Sequence, residues 1–219
     1  MFAQVESGSI TSFPKGNKGI QIGDNLYPKS IYTLWTEAER NAIGIYTVEI
    51  DETNRKDETF YINTDITYAF GSGKVTGSYG TATAKQLNDT LYTQAEVDAD
   101  THEAPHPQAG ERISGETWVA NDVKQSGLKS KYKSYFNSQA ASLLAKTDWY
   151  VIKAADVSDY SVPSNIATYR AAVRTKVNAM ETAIDGCANV EALITLLTYT
   201  TDSDGVTTRP LGEFPDEVV

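Results

Sequence analysis

Between Pro163 and Gly186 the apolar residues Ile166, Tyr169, Val173, Val177, Met180 and Ile184 recur at spacings of three and four, the period of one buried helical face. Pro163 suits the opening of that helix, because its missing N–H would have no intrahelical partner there, and Gly186 suits its end. Arg170 and Arg174 lie beside the stripe. Upstream, Asp122 is placed to cap a helix whose apolar side is Val123, Leu128, Tyr132, Tyr135, Phe136, Leu143 and Leu144, disturbed at Gly127. Downstream, Asn189 caps a shorter one with Val190, Leu193, Ile194 and Leu197 facing inward. Each stripe needs another to cover it, so residues 118–200 read as a bundle of about three helices. Trp149 and Tyr169 are its expected buried anchors.

The pattern before residue 96 differs. Thr36 and Glu39 form a capping box, in which a Thr N-cap and a Glu three residues on satisfy exposed N–H groups reciprocally. Gly44 then supplies a left-handed end to that one short helix and Ile45 the apolar contact after it. IYTVEI (45–50) and TFYINTDITYAF (59–70) are β-branched and aromatic, and with the polar DETNRKDE (51–58) between them they predict a hairpin. Tyr27 and Trp35 are expected to pack the helix against it. Lys85–Ala95 reads as helix or strand. Residues 27–95 thus form a β-rich domain, and the chain as a whole is α+β.

Both ends are more polar. Residues 1–26 carry isolated apolar side chains, with period-two alternation in GIQIG predicting a short strand or hairpin. This segment reads as an extended arm that reaches a neighbour, or as an edge strand on its own domain. Residues 96–117 have the acidic, small-residue and Pro content of a linker. Asp204–Gly205 between Thr-rich runs signals a hairpin within 201–219, followed by an extended tail. Phe2, Phe13, Pro14, Phe214 and Pro215 sit among residues too polar to bury them locally, so they are the candidate partner-interface residues, expected to order only in an assembly.

Two stretches carry a resemblance. LLAKTDWYVIKAADVSDYSVPSNIATYRAAVRTKV (143–177), with its TDW, its Pro and its YRxxxR helix, resembles a segment near the C-terminus of many bacteriophage tail, tail fibre and tail fibre assembly proteins. YPKSIYTLWTEAERNAIGI (27–45) is similar to a short YP…W…ER element that such proteins often carry. The resemblance implies a virion or tail setting and names no activity.

Composition narrows the function classes. The 219 residues, 40% hydrophobic and 22% charged, suit a globular chain of one large or two small domains. A net charge of −10 argues against broad nucleic-acid or anionic-membrane binding. The local run Lys124, Lys129, Lys131 and Lys133 reads as a solvated helix face. No apolar run approaches the length of a membrane span, and the start lacks a secretory pattern. Cys187, the single cysteine, reads as a small buried side chain.

Three motif fragments fail on inspection. Gly71, Gly73 and Lys74 lack the remaining phosphate-loop residues and read as turn punctuation. HEAPH (102–106) matches the zinc-protease spacing, but Pro105 and Pro107 oppose the continuous helix that would aim both histidines at one metal. Asp202, Asp204 and Gly205 match only part of a calcium loop, whose twelfth position would be Leu211. No nucleophile with a base and no complete ligand set is present, so neither a cofactor nor a metal is expected.

The leading expectation is a non-enzymatic phage structural protein of the tail or tail fibre, joining neighbouring tail components in the virion and oligomerising there. A tail fibre assembly chaperone absent from the mature particle, a receptor-binding tail fibre component and a glycan- or peptide-hydrolysing enzyme are the alternatives. The last has no motif behind it.

Overall fold

The computed structural model describes residues 1–95 and 123–218, and its contacts divide the chain into two compact units, 1–84 and 85–219. The first is mostly strand and the second mostly helix, an α+β arrangement in which the two kinds of element are segregated. The expected linker lies outside the described residues, as do His102, His106 and Asp122.

In the first unit, β1 (Phe2–Glu6) and β2 (Ser9–Ser12) form a hairpin. Its two central residues, Ser7 and Gly8, both take positive φ (49° and 80°), the turn whose twist matches that of the flanking strands. The extended-arm reading of residues 1–26 is therefore corrected. β1 also pairs with β5 (Ile45–Asp51), so the start of the chain lies inside the sheet. GIQIG belongs to the expected small hairpin, β3 (Ile20–Ile22) with β4 (Asn25–Tyr27).

A second correction concerns β5. It does not pair with β7 (Ile66–Gly71), but runs parallel to β8 (Lys74–Tyr79), with Val48 opposite Val75. The tight turn is Ser72–Gly73, again with both φ positive (52° and 76°). It folds β7 onto β8, which takes the place beside β5. The sheet order is β2-β1-β5-β8-β7. A pair β6 (Tyr61–Ile62) with β9 (Thr83–Ala84) flanks it.

Period-two alternation puts apolar residues on both faces of this sheet. Ala3, Val5, Val48 and Val75 form one core, with Tyr46, Tyr68 and Phe70 packed against it. Residues of opposite parity, Phe2 and Ile45, join Ile31 and Tyr32 in another. Those two come from α1 (Ile31–Leu34), a helical turn preceding the expected one, α2 (Glu37–Ala42). The capping box of α2 is complete, with Thr36 Oγ1 accepting from Glu39 N at 3.3 Å and Thr36 N donating to Glu39 Oε2 at 2.7 Å. Gly44 has φ 81°, and a Cβ there would lie 2.6 Å from the Val5 carbonyl oxygen. Tyr27 and Trp35 meet edge to face at 5.8 Å.

The second unit begins earlier than the composition suggests, at Lys85. β10 (Thr90–Leu91) pairs with β11 (Val123–Gln125), and the preceding loop caps α3 (Leu128–Ala145). With Gly127 as N-cap, that helix has no capping side chain of its own. Gln86 O and Leu87 O accept from the N–H groups of Leu128 and Lys129, Asp89 Oδ1 accepts from Gly127 N at 2.7 Å, and Asp89 Oδ2 from Ser130 Oγ. A carboxylate 38 residues away thus serves the helix start, where free N–H groups and the helix dipole favour it. Val123, expected on the helix face, is consequently a strand residue.

α5 (Ser164–Asp185) buries all six residues of its predicted stripe. α6 (Val190–Leu197) is capped as expected, with Asn189 Oδ1 accepting from Ala192 N at 2.8 Å. Between α3 and α5 stands a helix that the pattern did not separate, α4 (Asp148–Asp156). None of its residues is buried, which is why no stripe announces it.

The end of the chain departs from expectation. β12 (Thr200–Thr201) and β13 (Thr207–Thr208) form a hairpin, but its loop is residues 202–206 and not a two-residue turn at Asp204–Gly205, with Asp202 Oδ1 accepting from Asp204 N and Val206 N at 2.9 Å each. The following tail is held by its own unit. Leu211 is buried, its N–H reaches Leu196 O, and Lys176 Nζ reaches its carbonyl at 2.8 Å.

Cys187 is buried against α5, its Sγ 3.5 Å from Ala183 O. Burial pushes the thiol up, and Lys129 only partly offsets this. The thiolate is the reactive species, so Ellman's reagent at pH 8 is expected to label Cys187 roughly tenfold or more slowly in the native chain than in denaturant. Equal rates would mean that the thiol is open to solvent.

Candidate functional site

The segment of residues 143–177 is built around Arg170. Although Arg is a polar residue one position off the apolar stripe, it is buried. Its Nη1 donates to Leu144 O at 2.7 Å and to Thr147 Oγ1 at 2.7 Å, and its Nη2 pairs with Asp148 Oδ1 at 2.8 Å. One guanidinium thus satisfies the C-terminus of α3, the connecting Thr147 and the first residue of α4. This fork geometry suits Arg because its planar donors reach several acceptors at once.

Beside it, Tyr169 is buried with its hydroxyl unpartnered among the described residues. Burial pushes that phenol up; Glu217 raises it further and Lys146 opposes this. An unpaired buried hydroxyl costs about 1–3 kcal/mol. Tyr169→Phe is therefore expected to raise urea stability by about 1 kcal/mol, and a measured loss instead would show that the hydroxyl is paired in solution.

Trp149, expected as a second anchor, is 58% exposed, and Ile152 is 66% exposed on the same helix. The buried Arg170 guanidinium pairs with Asp148 at the solvent edge of the junction, where that carboxylate is half exposed, and the helix from that point carries Trp149 and Ile152 outward. Lys153 Nζ lies over the rings of Trp149 (5.1 Å) and Tyr160 (4.3 Å). Its stem covers part of their surface.

The five candidate interface residues separate. Phe2 packs on Tyr32 (ring centroids 4.8 Å apart) within its own unit. Phe13 is 42% exposed, and Pro14 follows it on the rim of a cleft of about 520 Å³. In the other unit, Phe214 covers part of a shallow groove of about 500 Å³ with Tyr135, Leu143 and Lys146, and Pro215 is half-buried beside it.

The cleft beside Phe13 is assembled from local causes. Gly77 leaves room for Tyr68, its cross-strand partner, to lie against its backbone. Phe13 leans on Tyr68 at 4.7 Å. That contact draws the end of β2 toward β7, nearly closing the sheet, and fixes the start of the loop of residues 13–19. Gly16 has φ 72°, and a Cβ there would meet the Phe2 and Tyr32 rings at 3.3 and 3.4 Å. Sequence reading missed the cleft, and its one cue was the alternation of Lys15 and Lys18 with Gly16 and Gly19.

Among the described residues no group of three His, Cys, Asp or Glu side chains is placed to hold a metal ion. Asp202, from the partial calcium motif, has one oxygen engaged by its own turn. No protein-family model, curated protein or solved structure matches this chain.

Proposed function

We propose that this chain is a non-enzymatic structural protein of a phage tail or tail fibre, joining neighbouring tail components in the virion. The observation that supports this reading is the Arg170 junction. It ties the TDW part of the 143–177 pattern to the YRxxxR part through one buried guanidinium. On this reading the TDW and YRxxxR residues are a packing device that serves shape and not chemistry. The same junction presents Trp149 and Ile152 outward, an exposed apolar surface of the kind that meets protein partners. The other tail proteins, and further copies of this chain, are the proposed partners.

Mass spectrometry of purified particles tests the assignment. A structural component is present in stoichiometric amount. Its absence from mature particles, with presence in lysates, would overturn this reading in favour of an assembly chaperone.

A further inference from the structure

We propose that the cleft formed by residues 12–20 and Tyr32 binds an acidic sugar, a pyranose bearing a carboxylate or phosphate. The inference stands on this cleft alone and does not rest on the tail assignment. Its volume, about 520 Å³, lies in the range of small-ligand sites. Its wall is held from several sides, by Phe13 on Tyr68, by Gly16 against Phe2 and Tyr32, and by Gly19, where a Cβ would lie 2.6 Å from Tyr27 O. At both positions the absent side chain makes room for the protein's own packing, so the two glycines let the loop lie close against its neighbours.

The charge of the cleft opposes that of the chain. Lys15 and Lys18 line it, no carboxylate does, and neither lysine has an ion pair among the described residues. In a chain of net charge −10, two unpaired ammonium groups beside low-dielectric walls create a local attraction for an anion. Phe13, 42% exposed, and the mostly buried Tyr32 line the same cleft. Aromatic side chains offer flat apolar faces to the C–H face of a sugar ring.

Polar groups complete the wall. Ser12 Oγ donates to Gln4 Oε1 at 2.9 Å, and Gln4 Nε2 donates to Glu6 Oε1 at 2.6 Å, so this pair is preoriented. Asn17 adds an amide with both donors and an acceptor for ring hydroxyls. The strands on one side and the pinned loop on the other bound a compact space, which suits a ring better than an extended peptide.

The test is titration of the full ¹⁵N-labelled chain with glucuronate, glucose 6-phosphate, glucose and inorganic phosphate in separate arms. Saturable shifts of the Gly16 and Gly19 amides with either acidic sugar, about tenfold weaker with glucose, are expected. Lys15→Gln with Lys18→Gln should weaken acidic-sugar binding about tenfold and leave distant resonances unchanged. Phe13→Leu, which keeps an apolar contact with Tyr68 and removes the flat ring, should weaken the sugars and not phosphate. No saturable shift with either acidic sugar would overturn the proposal. So would binding of phosphate as tight as that of the sugars and indifferent to Phe13→Leu, which marks an anion site without a sugar subsite.

Discussion

Replacing Phe136 by Ala is expected to destabilise the helical unit by about 3–5 kcal/mol, the usual cost of truncating a buried large aromatic. Phe136 is 1% exposed on α3 and receives the Arg209 guanidinium over its ring at 5.2 Å. Its removal therefore opens a cavity and strips the cover from a cation that also pairs with Glu213. Trp149→Ala is the contrast. Although larger, Trp149 is mostly exposed, so its loss should cost under about 1 kcal/mol. Urea unfolding followed by far-UV circular dichroism checks both. A Trp149 effect as large as that of Phe136 would place Trp149 in a packed interface, and the outward-facing reading of α4 would fall.

Arg170→Met is expected to cost about 3 kcal/mol, from two short charge-assisted hydrogen bonds to Leu144 O and Thr147 Oγ1 worth about 1.5–3 kcal/mol each, partly offset by the apolar replacement. Met keeps much of the side-chain volume, so the loss reports on hydrogen bonding more than on a cavity. The ion pair with Asp148 contributes little of this total, because that carboxylate is half exposed and screened by solvent. Asp148→Asn should accordingly cost less than about 1 kcal/mol. An Arg170→Met change no larger than that of Asp148→Asn would show that the guanidinium is not what joins α3, α4 and α5. Hydrogen exchange adds a local readout: amides at the end of α3 and in α4 should lose protection in Arg170→Met, while those of the first unit keep theirs.

Much of the local structure was legible because its causes lie within a few residues. The stripe of α5, the Thr36–Glu39 box and the Asn189 cap each depend on residues three or four positions apart, and the left-handed Gly44 and Gly205 on single residues. The Ser7–Gly8 and Ser72–Gly73 turns were equally local. Gly73 read as turn punctuation, whereas at Ser7–Gly8 a serine in a positive-φ position concealed the turn, since that conformation is usually signalled by Asn or Gly. The cleft proposed to take an acidic sugar was not legible. It requires Tyr68 to reach Phe13, and Phe2 with Tyr32 to reach Gly16, across separations that no short pattern encodes.

From residue pattern alone came the two-part character of the chain and the helices α2, α5 and α6 with their caps, since propensity, capping and periodicity are short-range effects. Tertiary structure alone decided which strands are neighbours. β8 lies parallel to β5 because the Ser72–Gly73 turn folds it between β5 and β7, where Val75 meets Val48 and Phe70. It also decided that Asp89 caps α3, that Arg170 is buried and that Trp149 is not. Each of these turns on the partner a group finds once the chain is compact. A carboxylate or guanidinium is buried only when several acceptors or donors converge on it, and an aromatic only when another surface arrives to cover it.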